Sequence, residues 1–250
     1  LKSYLILEIS YLNDLVFFKT MIEDMKKELL DIADPVLAKN YSRFFKTGKG
    51  DYGEGDKFLG MRVPTLRKVC KKYNNMDLNE VEELLHGEFH EFRQGALFIL
   101  IHQYEKNPKK IVEIYLRNTK YINNWDLVDI SAHKIVGRYL ENKDRAILYK
   151  LANSKDLWEK RISIISCFWF IKDKDFKDAI NISEILLHDS HDLIHKAVGW
   201  VLREIGKKDQ EVEEEFLKKY HQEMPRTMLR YSIEKFSDEK RKFYMSKVNK

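Results

Sequence analysis

The chain has little cysteine and little proline for its 250 residues, and both shortages restrict what it can be. Its two cysteines, Cys70 and Cys167, form no CxxC pair, which excludes a disulfide framework and a cysteine-based zinc site and favours a reducing compartment. The four prolines interrupt no segment with helical periodicity. Each lies where a helix is predicted to begin, because proline fits the first turn of a helix: Pro35, Pro64, Pro108 and Pro225.

The sequence also lacks an uninterrupted apolar run. Charged residues divide the apolar first twenty residues, so we expect neither a membrane span nor a secretory signal there. We interpret residues 1–20 as an uncertain N-terminal extension and residues 21–250 as one domain. Five of the ten glycines fall within residues 46–62, which we predict to be the one long loop. That loop has no GK[ST] ending, so it does not indicate a phosphate-binding P-loop.

Period-two alternation is scarce as well, whereas apolar residues recur at intervals of three and four. This pattern predicts an all-α fold of about twelve to fourteen helices with essentially no sheet. Charged residues make up 34% of the chain but the net charge is only +5. Local basic patches, and not the overall charge, therefore make nucleic acid a candidate partner.

A repeated column of charged residues is the main positive signal. Arg93, Asp129, Arg161, Lys196 and Arg230 follow one another at intervals of 36, 32, 35 and 34 residues. Two positions after each column residue lies a small or β-branched one, namely Gly95, Ser131, Ser163, Val198 and Ser232. Such a period predicts an α-solenoid of the HEAT or armadillo kind, and we expect a HEAT-like solenoid of antiparallel helix pairs with the column along one concave face.

On that face a row of cations is interrupted by the carboxylate of Asp129. Trp125 lies one helical turn before Asp129, and Trp200 lies one turn after Lys196, so both indoles should flank the carboxylate. Cations suit phosphates, and indoles attract cationic groups. A carboxylate could stabilise an oxocarbenium-like sugar. A base that leaves already positively charged needs no general acid. Trp158 is predicted to be core.

Structural explanations of the same residues stay open. Asp129 could be an ion-pair partner of Arg161, and the repeated cations could form a ladder with acidic residues of neighbouring repeats. Two other functions follow from this: a non-catalytic solenoid that binds damaged or branched DNA, or a protein-interaction scaffold. The row His188, His191 and His195 is a weak metal pattern that straddles a helix start, so no metal or cofactor is expected.

Four segments resemble the bacterial AlkD-type DNA alkylation repair glycosylases. They are NNWDLVD, WEKR, KAVGWVLRE and MPRTMLRYSIEKF, and GMRVPTLRKVCKKY fits as well; the likeness runs from about Met21 to the C-terminus. The resemblance implies a HEAT-like solenoid whose concave face binds duplex DNA. It also implies hydrolysis of the N-glycosidic bond of cationic N3- or N7-alkylated purines.

By position, the resemblance assigns the catalytic carboxylate to Asp129, the two lesion-contacting indoles to Trp125 and Trp200, and a phosphate-binding guanidinium to Arg161. Five further basic residues are DNA-binding candidates: Arg93, Lys160, Lys196, Arg203 and Arg230. The expected partner is double-stranded DNA containing alkylated bases. We expect a cytoplasmic monomer, associated with the nucleoid during repair.

Overall fold

The computed structural model describes residues 20–246 and is helical, with no β-strand in that range. The helices of the first half are α1 (Met21–Asp31), α2 (Pro35–Phe44), α3 (Val63–Lys72), α4 (Leu78–Leu85), α5 (His90–Gln103), α6 (Pro108–Arg117) and α7 (Trp125–Ala132). Those of the second half are α8 (Ala146–Ala152), α9 (Leu157–Ser166), α10 (Lys177–Ile185), α11 (Asp192–Lys208), α12 (Gln210–Tyr220), α13 (Arg226–Ser232) and α14 (Asp238–Met245). The predicted all-α class is confirmed.

Successive helices form pairs that stack along the chain as a solenoid. α4 packs on α5, α8 on α9 and α10 on α11, whereas α6 packs on His133–Gly137, which continues α7, and α12 packs on α11. The helices α5, α7, α9, α11 and α13 pack one on the next and make a continuous inner layer. All five residues of the predicted charged column lie on this inner layer, because each belongs to one of its helices.

Small residues allow the inner helices to approach closely. Gly95, Ser131, Ser163 and Ser232, which follow the charged column by two positions, are buried. At Gly199 an added Cβ would meet the backbone oxygen of Met228 at 2.4 Å, so α11 and α13 could not pack as they do with a larger residue there. Around this contact a buried apolar core runs through the described residues without a break.

Prolines and the long loop lie close to their predicted places. Pro35 and Pro108 open α2 and α6, Pro64 lies in the first turn of α3, and Pro225 caps α13. The loop between α2 and α3 covers residues 45–62, one residue longer than predicted.

The expected N-terminal extension, residues 1–20, lies outside the described residues except for Thr20. The Thr20 hydroxyl accepts a hydrogen bond from the backbone N–H of Glu23 and caps α1. Among residues 20–246, no helix is both long enough and apolar enough to cross a membrane.

Candidate active site

Three adjacent inner helices bring the main candidate residues together. Trp125 is the first residue of α7 and Asp129 lies one turn later; α9 contributes Arg161 and α11 contributes Trp200. Asn124 caps α7 through its side chain, which fixes where this helix begins and therefore where the indole of Trp125 emerges.

Asp129 and Arg161 form a two-point ion pair across α7 and α9. The Arg161 Nε donates to Asp129 Oδ1 at 2.9 Å, and Nη2 donates to Oδ2 at 2.8 Å. The third guanidinium nitrogen, Nη1, donates to the carbonyl of Leu193 at 2.6 Å and so ties α9 to α11. The side chains are 16% and 5% exposed, so water reaches only the edge of the pair.

Burial and charge act in opposite directions on Asp129. Burial raises the pKa of this carboxyl above its ordinary value, and the nearby Asp126 adds to the rise. The Arg161 guanidinium opposes both effects through its charge and its hydrogen bonds. Because the site is partly desolvated, the Asp129 charge is screened less than a surface carboxylate would be.

A cleft of about 750 Å³ lies beside Arg161 of this ion pair, and Asp129 is not among the residues that line it. Trp125, Arg161 and Trp200 line it together with residues from α2, the 45–62 loop, α11 and α13. The indole of Trp125 stacks on Phe45, with ring centroids 5.4 Å apart. Trp200 packs against Phe168 at 4.6 Å, and its Nε1 donates to Glu204. Both indoles are thus held by neighbouring side chains and present aromatic surface to the cleft.

The loop supplies lining residues that the sequence reasoning missed. Phe44 ends α2, and Lys46 and Tyr52 follow in the loop; all three face the cleft opposite α11. The sequence pattern that could have indicated these lining residues is the cluster of aromatic and basic residues within the glycine-rich segment. Nothing in the sequence, however, connects that loop to the charged column.

A buried carboxylate of α5 fixes this loop. Glu91 Oε2 accepts from the backbone N–H of Leu59 at 2.8 Å, and Oε1 accepts from that of Gly60 at 2.9 Å. Backbone hydrogen bonds to a buried carboxylate are charge-assisted and therefore hold the end of the loop firmly.

Arg93 does not reach the cleft. Its guanidinium is buried, donates to Asp56 Oδ1 at 2.6 Å, and also bonds the carbonyls of Gly87 and Glu88. The charge of Arg93 is therefore already neutralised inside the protein, by a carboxylate of the 45–62 loop.

A buried histidine extends this network towards the site, and no sequence pattern indicated its role. His90 lies between two carboxylates, with Nδ1 2.9 Å from Asp56 and Nε2 2.9 Å from Asp126. Burial alone would lower its pKa, but the two carboxylates outweigh that effect and raise the pKa to about 9. His90 is therefore protonated at neutral pH.

The other predicted DNA-binding cations differ in whether a carboxylate forms an ion pair with them. Lys160 pairs with Asp189 at 2.7 Å, Lys196 pairs with Asp192 at 2.7 Å, and Arg203 pairs with Glu234. Lys196 and Arg203 line the cleft. Arg230 is exposed on α13 and has no ion-pair partner among residues 20–246.

Metal-binding side chains do not cluster in the described part of the chain. Residues 20–246 contain no group of three or more His, Cys, Asp and Glu side chains that could hold an ion. Within the histidine row, His191 caps α11 and His195 contacts the carbonyl of Asp189 at 2.5 Å, so both have structural roles.

Fold and site together define an all-helical solenoid protein with an aromatic cleft beside a buried carboxylate–guanidinium pair. The chain belongs to the DNA alkylation repair enzyme family, whose family model matches residues 25–236. This match confirms, at the level of the family, the resemblance seen in the sequence motifs.

The fold is similar to that of a solved protein from Enterococcus faecalis described as a predicted DNA alkylation repair enzyme, with a TM-score of 0.66 and 15% sequence identity. The superposition covers 82% of this chain and 97% of the other. At this identity the likeness shows the shared fold. The comparison with curated proteins gives no significant match.

Proposed function

We propose that this protein is a DNA glycosylase that hydrolyses the N-glycosidic bond of cationic N3- or N7-alkylated purines in duplex DNA. The observation that carries the proposal is the position of Asp129, whose carboxylate is held by Arg161 beside a cleft lined by Trp125 and Trp200. Family membership makes DNA the expected substrate.

Asp129 is proposed to stabilise the sugar as positive charge develops on it. Each carboxylate oxygen has two lone-pair directions, and Arg161 uses one on each oxygen. The second lone pair of each oxygen stays available to a water molecule or to the C1′ side of a deoxyribose. Because the carboxylate is fixed before the sugar arrives, it needs no reorganisation in the transition state.

The leaving base needs no proton donor when it is already cationic. As the C1′–N bond breaks, its electron pair moves to the base and neutralises the positive charge there. Water then adds to C1′ and loses a proton. Indole faces favour a cationic base by about 0.5–2 kcal/mol each. Trp125 and Trp200 would supply these faces.

The DNA backbone is proposed to lie along the inner layer. Arg230, Lys196, Arg203 and Lys160 are the cations on this route that have some exposed surface. Pairing to neighbouring carboxylates weakens the last three as phosphate ligands until DNA displaces those partners. We further propose that residues 21–250 act as one monomeric domain in the cytoplasm and reach the nucleoid during repair.

A non-catalytic binder of damaged or branched DNA is the second candidate. One observation favours it: Arg161 already contacts both oxygens of Asp129, so this carboxylate could serve only to hold α7 and α9 together. A protein-interaction scaffold has no such support, because it requires no cleft between the two indoles.

One incubation tests the proposal. A duplex with a single N7-methylguanine is exposed to the protein and assayed for free base and for alkali-labile breaks at the lesion. We expect both products. Tight binding without either product would support the second candidate and exclude the glycosylase.

A further inference from the structure

A second, smaller cavity of about 190 Å³ lies next to the cleft. Phe44 lines both cavities, and Trp125 and Asp126, consecutive residues of α7, line the cleft and the small cavity respectively. Phe45 stacks on Trp125 at 5.4 Å and on Phe58 at 5.0 Å between ring centroids. One layer of aromatic side chains therefore separates the two cavities.

The walls of the small cavity are mostly aromatic. Six side chains form its apolar part: Tyr41, Phe44, Phe45, Phe58, Met61 and Val63. The Phe45 and Phe58 rings are stacked with their planes 15° apart, and the Tyr41 ring meets them edge to face at 6.0 and 5.9 Å. Such walls suit a flat ring system, because aromatic rings pack best in offset-stacked or edge-to-face arrangements.

The polar end of the small cavity contains a buried acceptor without a donor. Asp126 Oδ2 accepts from His90 Nε2 and from Gln94 Nε2, each at 2.9 Å. Because the amide nitrogen of Gln94 faces this carboxylate, its carbonyl oxygen Oε1 must face another way. Gln94 is only 4% exposed and lines the cavity, yet no group in residues 20–246 donates to Oε1.

The other polar groups of the lining leave one donor. Both ring nitrogens of His90 are bonded to carboxylates, and the Glu91 carboxylate accepts backbone N–H groups. The Tyr41 hydroxyl has no hydrogen-bond partner within the described part of the chain, and burial raises its pKa, so it keeps its proton. A ligand in the small cavity thus meets one acceptor, Gln94 Oε1, and one donor, the Tyr41 hydroxyl.

The volume of the small cavity limits what can enter. An engineered apolar cavity of about 150 Å³ takes benzene. A cavity of about 190 Å³ therefore suits a somewhat larger ring system, such as a purine base without its sugar. Purine bases are flat and carry an N–H donor beside a ring-nitrogen or carbonyl acceptor. That pair of groups complements the free carbonyl of Gln94 and the free hydroxyl of Tyr41.

We infer that the small cavity binds the free purine base that the proposed reaction releases, with Gln94 accepting from an N–H group of the base and Tyr41 donating to a neighbouring acceptor. The inference rests on the proposed function for the origin of the base. Phe44 is 63% exposed, so its ring can rotate and open a route from the cleft without disturbing the buried core. A base held in the small cavity stays away from C1′ while water adds to the sugar.

Binding of free 7-methylguanine, measured by calorimetry without DNA, tests the site directly. Gln94→Met removes the free carbonyl with a side chain of similar length, and Asp126 keeps its bond from His90. We expect the dissociation constant to rise about tenfold, the effect of one lost hydrogen bond. Val63→Trp puts a large ring into the cavity wall and should abolish binding. Val63 is 40% exposed, so this change leaves the core packing in place.

Two control variants locate the binding. Gln103 is a second buried glutamine of α5, and its Nε2 donates to the carbonyl of Met76 at 2.7 Å, but it does not line the small cavity. Gln103→Met should therefore leave the dissociation constant unchanged, as should Trp200→Ala in the cleft. If Trp200→Ala abolished binding while Gln94→Met and Val63→Trp retained it, the base would occupy the cleft and the inference would be overturned.

A pair of neutral ligands separates a free base from a base that still carries its sugar. Adenine should bind to the wild type, and adenosine should bind at least about tenfold more weakly because the base fills the cavity. Equal affinity for adenine and adenosine would overturn the assignment to a free base. A wild-type protein that binds neither 7-methylguanine nor adenine would overturn the whole inference.

Failure of this site and failure of the glycosylase proposal are distinguishable. A protein that releases no base from DNA, but loses affinity for free 7-methylguanine in Gln94→Met, keeps the small cavity as a site for purine bases. A protein that releases 7-methylguanine, but binds it equally as wild type, Gln94→Met and Val63→Trp, keeps the glycosylase and loses the site.

Discussion

Arg161 contacts both oxygens of Asp129, and this pairing determines how the carboxylate can act. A guanidinium beside a buried aspartate favours the ionised carboxylate. It also neutralises part of the carboxylate's charge, so a substrate feels less of that charge. If a DNA phosphate approaches Arg161, it competes for the same guanidinium and leaves Asp129 freer to interact with the sugar. The ion pair is therefore consistent with a resting state of a catalytic carboxylate.

Asp129→Asn is expected to retain the fold and most of the affinity for DNA while base excision slows by roughly 10²–10³-fold, as for other lost electrostatic stabilisers. In the wild type, excision should decline as the pH falls through the pKa of Asp129. Because burial raises that pKa, the decline should lie above the range of an ordinary aspartate, about 3.9. Asp129→Asn should show no such decline of excision with falling pH. Single-turnover rates measured across pH test both points.

Asp173→Asn is the matched control, since Asp173 is an exposed carboxylate in the turn before α10. It should leave the excision rate and its pH profile unchanged. An Asp129→Asn protein that excises at the wild-type rate would remove Asp129 from the mechanism.

His90 should make the stability of the protein depend on pH. Its pKa is raised to about 9, so its contribution to stability is complete below about 6.5 and is lost as the pH rises through about 9. The melting temperature of the wild type should therefore fall more between these pH values than that of His90→Gln. Buried Glu213, whose pKa burial raises to about 9, titrates in the same window in both proteins and cancels in the difference. Parallel melting curves for the two proteins would contradict this assignment.

Sequence spacing predicted that Trp125, Asp129, Arg161 and Trp200 share one face, but it could not predict their partners. A carboxylate such as Asp56 meets Arg93 from a loop 37 residues earlier. That contact depends on how the loop folds back, and residue periodicity holds no information about it. Arg93 is thus neutralised by a carboxylate of the loop, and not by one of a neighbouring repeat as the ladder explanation expects.

At the scale of elements, periodicity predicted the helices and proline predicted where four of them begin, because both are local properties of the chain. The glycines predicted the loop, but they did not predict the path that its backbone takes. The path depends on Glu91, which binds the backbone of Leu59 and Gly60 from a separate helix. Long-range contacts of this kind determine how the loop comes to line the cleft.

Gly60 offers a test of that path. It has a φ of +83°, and an added Cβ would lie 2.1 Å from the backbone oxygen of Asp34. Gly50 has a similar φ of +81° but open space around it. Gly50→Ala should therefore cost only the backbone strain, about 1–3 kcal/mol at most. Gly60→Ala should cost clearly more. Denaturant unfolding of both variants gives the comparison, and equal losses would contradict the close packing of Gly60 on α2.

At the scale of the whole molecule, intramolecular carboxylates neutralise most of the cationic row. Acidic and basic residues also nearly balance over the whole chain, because 34% of the residues are charged but the net charge is only +5. DNA binding should consequently depend on the few cations that remain free, and the dependence of affinity on salt should be moderate.

Arg230→Ala should reduce the slope of log affinity against log salt by about 0.9, because Arg230 is exposed and unpaired within the described range. Arg93→Ala should leave the slope unchanged and lower stability, since it leaves Asp56 buried without its guanidinium partner. Titrations of an undamaged duplex and melting curves of both variants provide the measurement. A slope change in Arg93→Ala alone would reverse our assignment of the two residues.

The central claim is that the protein releases bases that are already cationic and has no general acid for neutral ones. The most direct measurement compares two duplexes of one sequence under single-turnover conditions, one carrying 7-methylguanine and the other carrying 1,N6-ethenoadenine or uracil at the same position. We predict release of 7-methylguanine and no release of the neutral base above the uncatalysed rate. Comparable release of both would contradict the account and would require a proton donor near the cleft.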